Sequence, residues 1–239
     1  MQCESVRAGF VGICALSLGP GAATVTLRIN ASDPQAMRII ETRSAPNPRR
    51  VRIFLAEKGM AVPFEEVDLM ANALRTPEFT ALNPMQRVPV LILDDETVIC
   101  ESVAICRYFE EVQPDPALFG AGPVGQASVE MWNRRVEFGL FGTVAAVFRH
   151  LHPMMSHLEV PQVADWGEAN KAKVAEMLVL LDDVLADRRF IAGADYSIAD
   201  ITALVAVDFM RAARLEKPAG LDNIERWHAE VAARPSAGA

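Results

Sequence analysis

A proline set directly before an apolar strand is the strongest constraint in this chain. The run Asn83-Pro84-Met85-Gln86-Arg87-Val88-Pro89-Val90-Leu91 carries Val88-Pro89 straight into the strand-like stretch Val90 to Leu93. Proline donates no ladder hydrogen bond and fixes its φ, so it belongs at a strand's first residue or in a turn. A cis Val88-Pro89 bond would turn the chain sharply and leave the N–H and C=O of Val88 free. Those two groups could then pair with an extended peptide as an added strand does. Glu101-Ser102 opens the next helical pattern, where first-turn N–H groups and a hydroxyl can hold a carboxylate. A free backbone edge beside such a helix start is a receptor for a small acidic peptide.

Around this turn the chain alternates between strand and helix from Met37 to about Gly120. Arg38 to Thr42, Phe64 to Leu69, Val90 to Leu93 and Thr97 to Cys100 read as strands. Helices are predicted from about Pro48 to Lys58, from Leu74 to Leu82 and from Ser102 to Val112. That order is the order of a thioredoxin-like fold. Phe119 to Pro123 reads as a linker between domains. Beyond Gly125 no strand signal appears, and helices are expected over Ala127 to His150, Trp166 to Arg188, Ile198 to Arg214 and Leu221 to Ala233. Ser197 with Asp200 ahead of an apolar run is a capping box, so Asp200 reads as holding a helix start rather than performing chemistry. The predicted architecture is α/β plus all-α: a thioredoxin-like domain over 37–118 and a C-terminal helical bundle over 124–239.

At 239 residues the chain could be one large domain or two small ones, and its 51% hydrophobic content is ample for buried cores. A net charge of −8 argues against nonspecific binding to nucleic acid or to an anionic membrane. No run of 18 or more apolar residues exists that could span a bilayer. Cys3, Cys14, Cys100 and Cys106 have no framework spacing and no C-x-x-C, so a thioredoxin-type dithiol is out; Cys100 and Cys106 are expected as buried free thiols. Residues 1–36 stand apart. Arg7 and the apolar stretch Gly9 to Leu18 look like a weak secretory signal, against which stand Glu4 and the strand pattern that opens only at Met37. The expectation is a disordered leader or a mis-assigned start, with an export segment or ordered structure as alternatives, and a cytoplasmic location.

The run N-P-M-Q-R-V-P-V-L followed by E-S-V-A-I resembles the glutathione-binding half of the cytosolic glutathione S-transferase family. Ala45 to Gly59 resembles that family's first strand–loop–helix unit. Phe190-Ile191-Ala192-Gly193, Ser197-Ile198-Ala199-Asp200 and Arg226-Trp227 to Ser236 resemble its helical domain. The resemblance covers Met37 to Ala239. It implies glutathione as co-substrate, a small apolar electrophile as second substrate, and a homodimer joining the thioredoxin-like half of one chain to the helical half of the other.

Such an enzyme needs a thiolate at neutral pH, whereas a free thiol titrates near pH 8.5. Lowering it by about two units takes roughly 2.7 kcal/mol of differential stabilisation, which a helix N-terminus and an aimed donor can supply. Many family members place Ser or Cys directly before the proline of the first loop; this chain has Ala45. The candidates left are Ser44 first and Asn47 second, with a plain loop hydroxyl and a helix N-cap as their bland alternatives. No cysteine lies in that loop, which argues against chemistry through a mixed disulfide on the protein. The resemblance assigns Glu101 to the ammonium and Ser102 to the carboxylate of the γ-glutamyl group, the Val88 backbone to the cysteinyl unit, and Arg87 to the glycyl end. Glu101 could instead be a first-turn acid favoured by the helix dipole, and Arg87 a solvated arginine. Phe138, Phe141 and Phe148 lie on the long helix beginning at Ala127, and Phe141 with Phe148 share a face, a stripe that reads as core before substrate pocket. His150 and His152 diverge at i, i+2 and make no metal pair, so no metal is expected. Alternative activities on the same scaffold are isomerisation, dehalogenation and peroxide reduction, and a silent glutathione-binding regulator is the non-enzymatic reading.

Overall fold

A computed structural model describes residues 37–69 and 71–239; the leader over 1–36, with Cys3 and Cys14, lies outside them. Four strands form one sheet in the order β2-β1-β3-β4: β1 (Arg38–Glu41), β2 (Phe64–Glu66), β3 (Val90–Ile92) and β4 (Val98–Cys100). β1 runs parallel to β2 and antiparallel to β3, and β3 runs antiparallel to β4. The period-2 pattern divides the strands between two cores. Ile39 and Leu91 face the large core with helix α1 (Pro46–Glu57) and helix α3 (Ser102–Val112), whereas Ile40, Val90 and Ile92 face a small one with Phe79 of α2 (Pro77–Leu82). This is a thioredoxin-like unit, as expected.

Local chemistry explains the helix ends. α1 opens at Pro46, two residues before the expected start, because proline at the first turn sacrifices an N–H that has no intrahelical partner anyway. Its N-cap is Ala45, with no side-chain cap, so Asn47 sits inside the first turn and does not cap the helix. The Thr76 hydroxyl accepts from the Phe79 N–H and caps α2.

The second half is helical: α4 (Gly122–Val136), α5 (Gly142–Leu151), α6 (Ala164–Ala186), α7 (Ile198–Phe209) and α8 (Asp222–Ala232). A π-turn over Glu137–Phe141 joins α4 to α5 without a break. One extra residue in that turn re-phases the helix face. Consequently Phe138 points out, 67% exposed, while Phe141 is buried and Phe148 only partly so. The Ser197–Asp200 capping box is present at α7, and Asp200 also accepts from Ile191 N–H and Trp227 Nε1–H. Where the two halves join, Leu118 and Phe119 are buried and Leu118 C=O accepts from the Ile198 N–H at 2.9 Å, whereas Ala121, Gly122 and Pro123 are exposed. No helix among the described residues is long and apolar enough to cross a membrane.

Candidate functional site

Three chain segments meet at one end of the sheet. β1 ends there and leads through Thr42–Ala45 into α1; β3 begins there after Val88-Pro89; β4 ends there at Cys100 and turns into α3. The register makes this necessary, because Val90 pairs with both Ile40 and Cys100. Loop residues distant in sequence are thereby brought side by side.

The first loop carries Ser44 and Asn47 to different places. Ser44 is exposed in a turn, and among the described residues its hydroxyl has no hydrogen-bond partner. Asn47 is half-buried, and its Oδ1 accepts from the Ser102 hydroxyl at 3.4 Å. Prolines at 46 and 48 leave Asn47 with the sole N–H in the first turn that is free to bind a ligand. The next N–H, that of Arg49, already donates to Ala45 C=O at 3.3 Å.

The second loop is held by Asn83, a residue the sequence reading gave no role of its own. Its buried amide donates to Arg87 C=O at 2.8 Å and accepts from the Met85 N–H at 3.0 Å. The Val88–Pro89 bond is cis. The Val88 side chain is buried, and its N–H and C=O make no backbone hydrogen bond among the described residues. Arg87 is exposed. Arg149 of α5 has its pKa lowered by burial and then by the positive charge of Arg87, so both halves of the protein contribute a cation to this rim.

The third segment holds Glu101 at φ 68°, a left-handed backbone that a residue with a Cβ adopts only under constraint. Glu101 is exposed, whereas Ser102 beside it is buried. The Ser102 oxygen accepts from Arg50 Nη1 at 3.0 Å, and the same Nη1 donates to Glu137 of the π-turn at 2.9 Å. Arg50 and Glu137 were not among the expected site residues. The signal for Arg50 was present, because it occupies the apolar phase of α1 one turn before Ile53 and Phe54. Glu137 lies 87 residues further on and carried no local signal.

Beyond Arg50 the surroundings become aromatic. Its guanidinium lies 4.8 Å from the centre of the Phe141 ring. Phe209 of α7 then packs against Phe141 and Phe148, with ring centres 6.3 and 5.0 Å away, and His152 stacks on Phe148. His150 and His152 each accept a backbone N–H, from Val163 and Met154 respectively. Cys100 and Cys106 are both free. Only Cys106 is fully buried, and burial pushes its thiol well above the usual range.

Residues 45–112 match the N-terminal domain of glutathione S-transferases, and residues 148–235 match the C-terminal domain. Glutathione S-transferase 2 of Saccharomyces cerevisiae is 35% identical over 84% of this chain and 88% of its own length. A crystal structure of a glutathione S-transferase domain-containing protein from Marinobacter aquaeolei is 42% identical with a TM-score of 0.81, covering 83% of this chain and 98% of that one. Maleylacetoacetate isomerase of Pseudomonas aeruginosa is 29% identical over 64% of this chain and 71% of its own.

Proposed function

The chain belongs to the glutathione S-transferase family, whose co-substrate is glutathione, and we propose that it transfers the glutathione sulfur to a small apolar electrophile. The reading is carried by Asn47, which offers both a side-chain amide and the one free first-turn N–H at the positive end of α1. The Val88 backbone edge stands ready for the cysteinyl unit. Ser102 and Glu101 stand at the start of α3 for the γ-glutamyl carboxylate and ammonium, and Arg87 lies towards the glycyl end. With the peptide held there, its thiol falls at the α1 N-terminus, where a donor and a helix end together favour the anion. This geometry supports Asn47 ahead of Ser44, which is exposed and without a hydrogen-bond partner among the described residues. Phe148 and Phe209, the partly exposed members of the aromatic group built on Phe141, form the wall that an apolar second substrate would meet. Rate then comes from thiolate formation, positioning and exclusion of water.

Turnover of a panel of small electrophiles, run beside a peroxide assay and an isomerisation assay, tests the reading. Conjugation of at least one electrophile is expected; glutathione binding with no turnover of any kind would make the protein a binder. The likeness to maleylacetoacetate isomerase favours glutathione-dependent isomerisation as the second reading. We place the protein in the cytoplasm and propose that it is a homodimer. Exposed Phe138, Trp166 and Leu180 line an apolar groove along α6 that a second copy's thioredoxin-like half would cover.

A further inference from the structure

Arg50 is buried at the centre of the site, and glutathione binding as described makes no use of it. Its side chain is 1% exposed and lies one helical turn from Asn47. Among the described residues only Nη1 is partnered, to Ser102 and Glu137, while Nε and Nη2 are buried with no hydrogen-bond partner there. Buried donors are almost always satisfied, so a guanidinium left this way in a folded chain calls for a role. Its counter-charge is also divided: the second Glu137 oxygen lies 3.7 Å from Arg134 on α4. The remaining ionisable groups nearby are Cys106, whose burial-driven rise in pKa Arg50 opposes, and Glu110, which is paired with Lys58. The charge of Arg50 is therefore felt by a thiol on the adjacent helix and is only partly cancelled.

We propose that Arg50 is a positioning residue for the bound glutathione: its Nη1 occupies the Ser102 oxygen, so that the hydroxyl proton turns to the γ-glutamyl carboxylate, and its partly cancelled charge favours the thiolate at the α1 N-terminus, with Glu137 setting how much of that charge is felt. Ser102 can donate one proton only. With its oxygen already accepting from Arg50, the proton is free to leave Asn47 Oδ1, a long contact at 3.4 Å, for a stronger charged acceptor. In a site of low polarity a partly cancelled cation acts further than at the surface. Glu137 belongs to the helical half, so that half tunes chemistry performed on the other through a π-turn, a place where helices often carry functional groups.

The inference rests on glutathione being held by Ser102 with its sulfur at α1, and its test separates the two. In the full chain, bound glutathione is titrated by thiolate absorbance and its affinity measured by calorimetry, for wild type, Arg50→Gln and Glu137→Gln. Arg50→Gln should raise the thiol pKa by about one unit and weaken binding about tenfold. Glu137→Gln should move the thiol pKa the other way, by about half a unit. A merely structural pair would not give opposite signs. Should Arg50→Gln fail to fold, Glu137→Gln, whose residue is partly exposed, decides alone. A Glu137→Gln thiol pKa that is unmoved or raised, in a protein whose wild type lowers it, overturns the role of Arg50 alone. A wild type that leaves the bound thiol at its free value overturns the underlying site and the inference with it.

Discussion

At the level of single residues, a methyl group stands at Ala45 where a hydroxyl or thiol would be the simplest donor to sulfur, and the proposed function assigns that role to Asn47. Asn47→Ala removes an amide donor but not the helix end. The thiol pKa of bound glutathione should therefore rise by about one to two units, or roughly 1.4–2.7 kcal/mol, and thiolate absorbance reads this directly. Ser44→Ala should leave the titration where it was, since that hydroxyl faces solvent. Glu101 is exposed, not partly buried, so its removal leaves no stranded charge behind. Glu101→Ala should weaken glutathione binding by about 1–2 kcal/mol in calorimetry, the range of a charge-assisted bond at an accessible site. An unchanged affinity would remove Glu101 from the site. Asn47 and Glu101 stand out as candidates in the sequence because one sits between prolines and the other at a helix start, where local chemistry leaves marks. Sequence reading assigns no role to Asn83, whose contribution is two hydrogen bonds within a loop, and none to Arg50 or Glu137, whose partners are remote.

At the scale of elements, the helices were legible from periodicity and caps, and the π-turn was not. A one-residue slip within an apolar stretch alters which side chain faces inward without altering composition, so Phe138 and Phe141 look equivalent in sequence and end on opposite sides. Gly167 shows the same blindness. A Cβ there would lie 2.6 Å from Leu151 Cγ and 2.8 Å from its Cδ2, where α6 crosses α5. Replacing an interior helical glycine by alanine ordinarily gains about 1 kcal/mol. Here overpacking of about 1–3 kcal/mol opposes that gain, so Gly167→Ala should be destabilising in chemical denaturation. Asp200 was read correctly as a cap, yet it is also a hub: four donors from Ile191, Ser197 and Trp227 converge on it. Asp200→Asn would point an amide N–H2 at donors and should cost about 2–4 kcal/mol. Burial lifts the Asp200 pKa to about 6, against the pull of those donors. The folded chain therefore holds a proton that the unfolded chain has lost between about pH 4 and 6, and this group's contribution is present below that window and lost as pH rises through it. Unfolding free energies at the two ends of the window, compared between wild type and Asp200→Asn, should show that decrement only in the wild type.

At the scale of the whole molecule, α1 is the joint between the halves. Arg49 reaches Asp208 of α7 at 2.7 Å, Arg50 reaches Glu137, and Glu57 takes Arg234 and Ser236 from the C-terminal end. Burial would raise the Asp208 pKa, but hydrogen bonds from His228 and Arg49 outweigh it and hold the carboxyl below its usual value. That stabilisation is complete above about pH 4 and is lost as pH falls below it, the opposite sign to Asp200. Asp208→Asn should lower the thermal midpoint at neutral pH by a few degrees and leave glutathione's own contacts in place. If the apolar groove along α6 is covered by a second copy, sedimentation at micromolar concentration should give twice the 26.1 kDa chain mass. Phe138→Glu should bring it to one chain without loss of helical content. What is local was legible from sequence: alternating strands, helix phases, prolines at starts, a capping box, and motif order sufficient for the family. These follow from short-range sterics and hydrogen bonding, which act over a few residues and repeat in recognisable periods. Tertiary packing alone brings Arg50 to Ser102 and Glu137, and sets Asn47 rather than Ser44 beside them. Those outcomes depend on register and packing between segments tens of residues apart: a charge on an apolar helix phase marks Arg50 as buried, but nothing local names Glu137 as its partner.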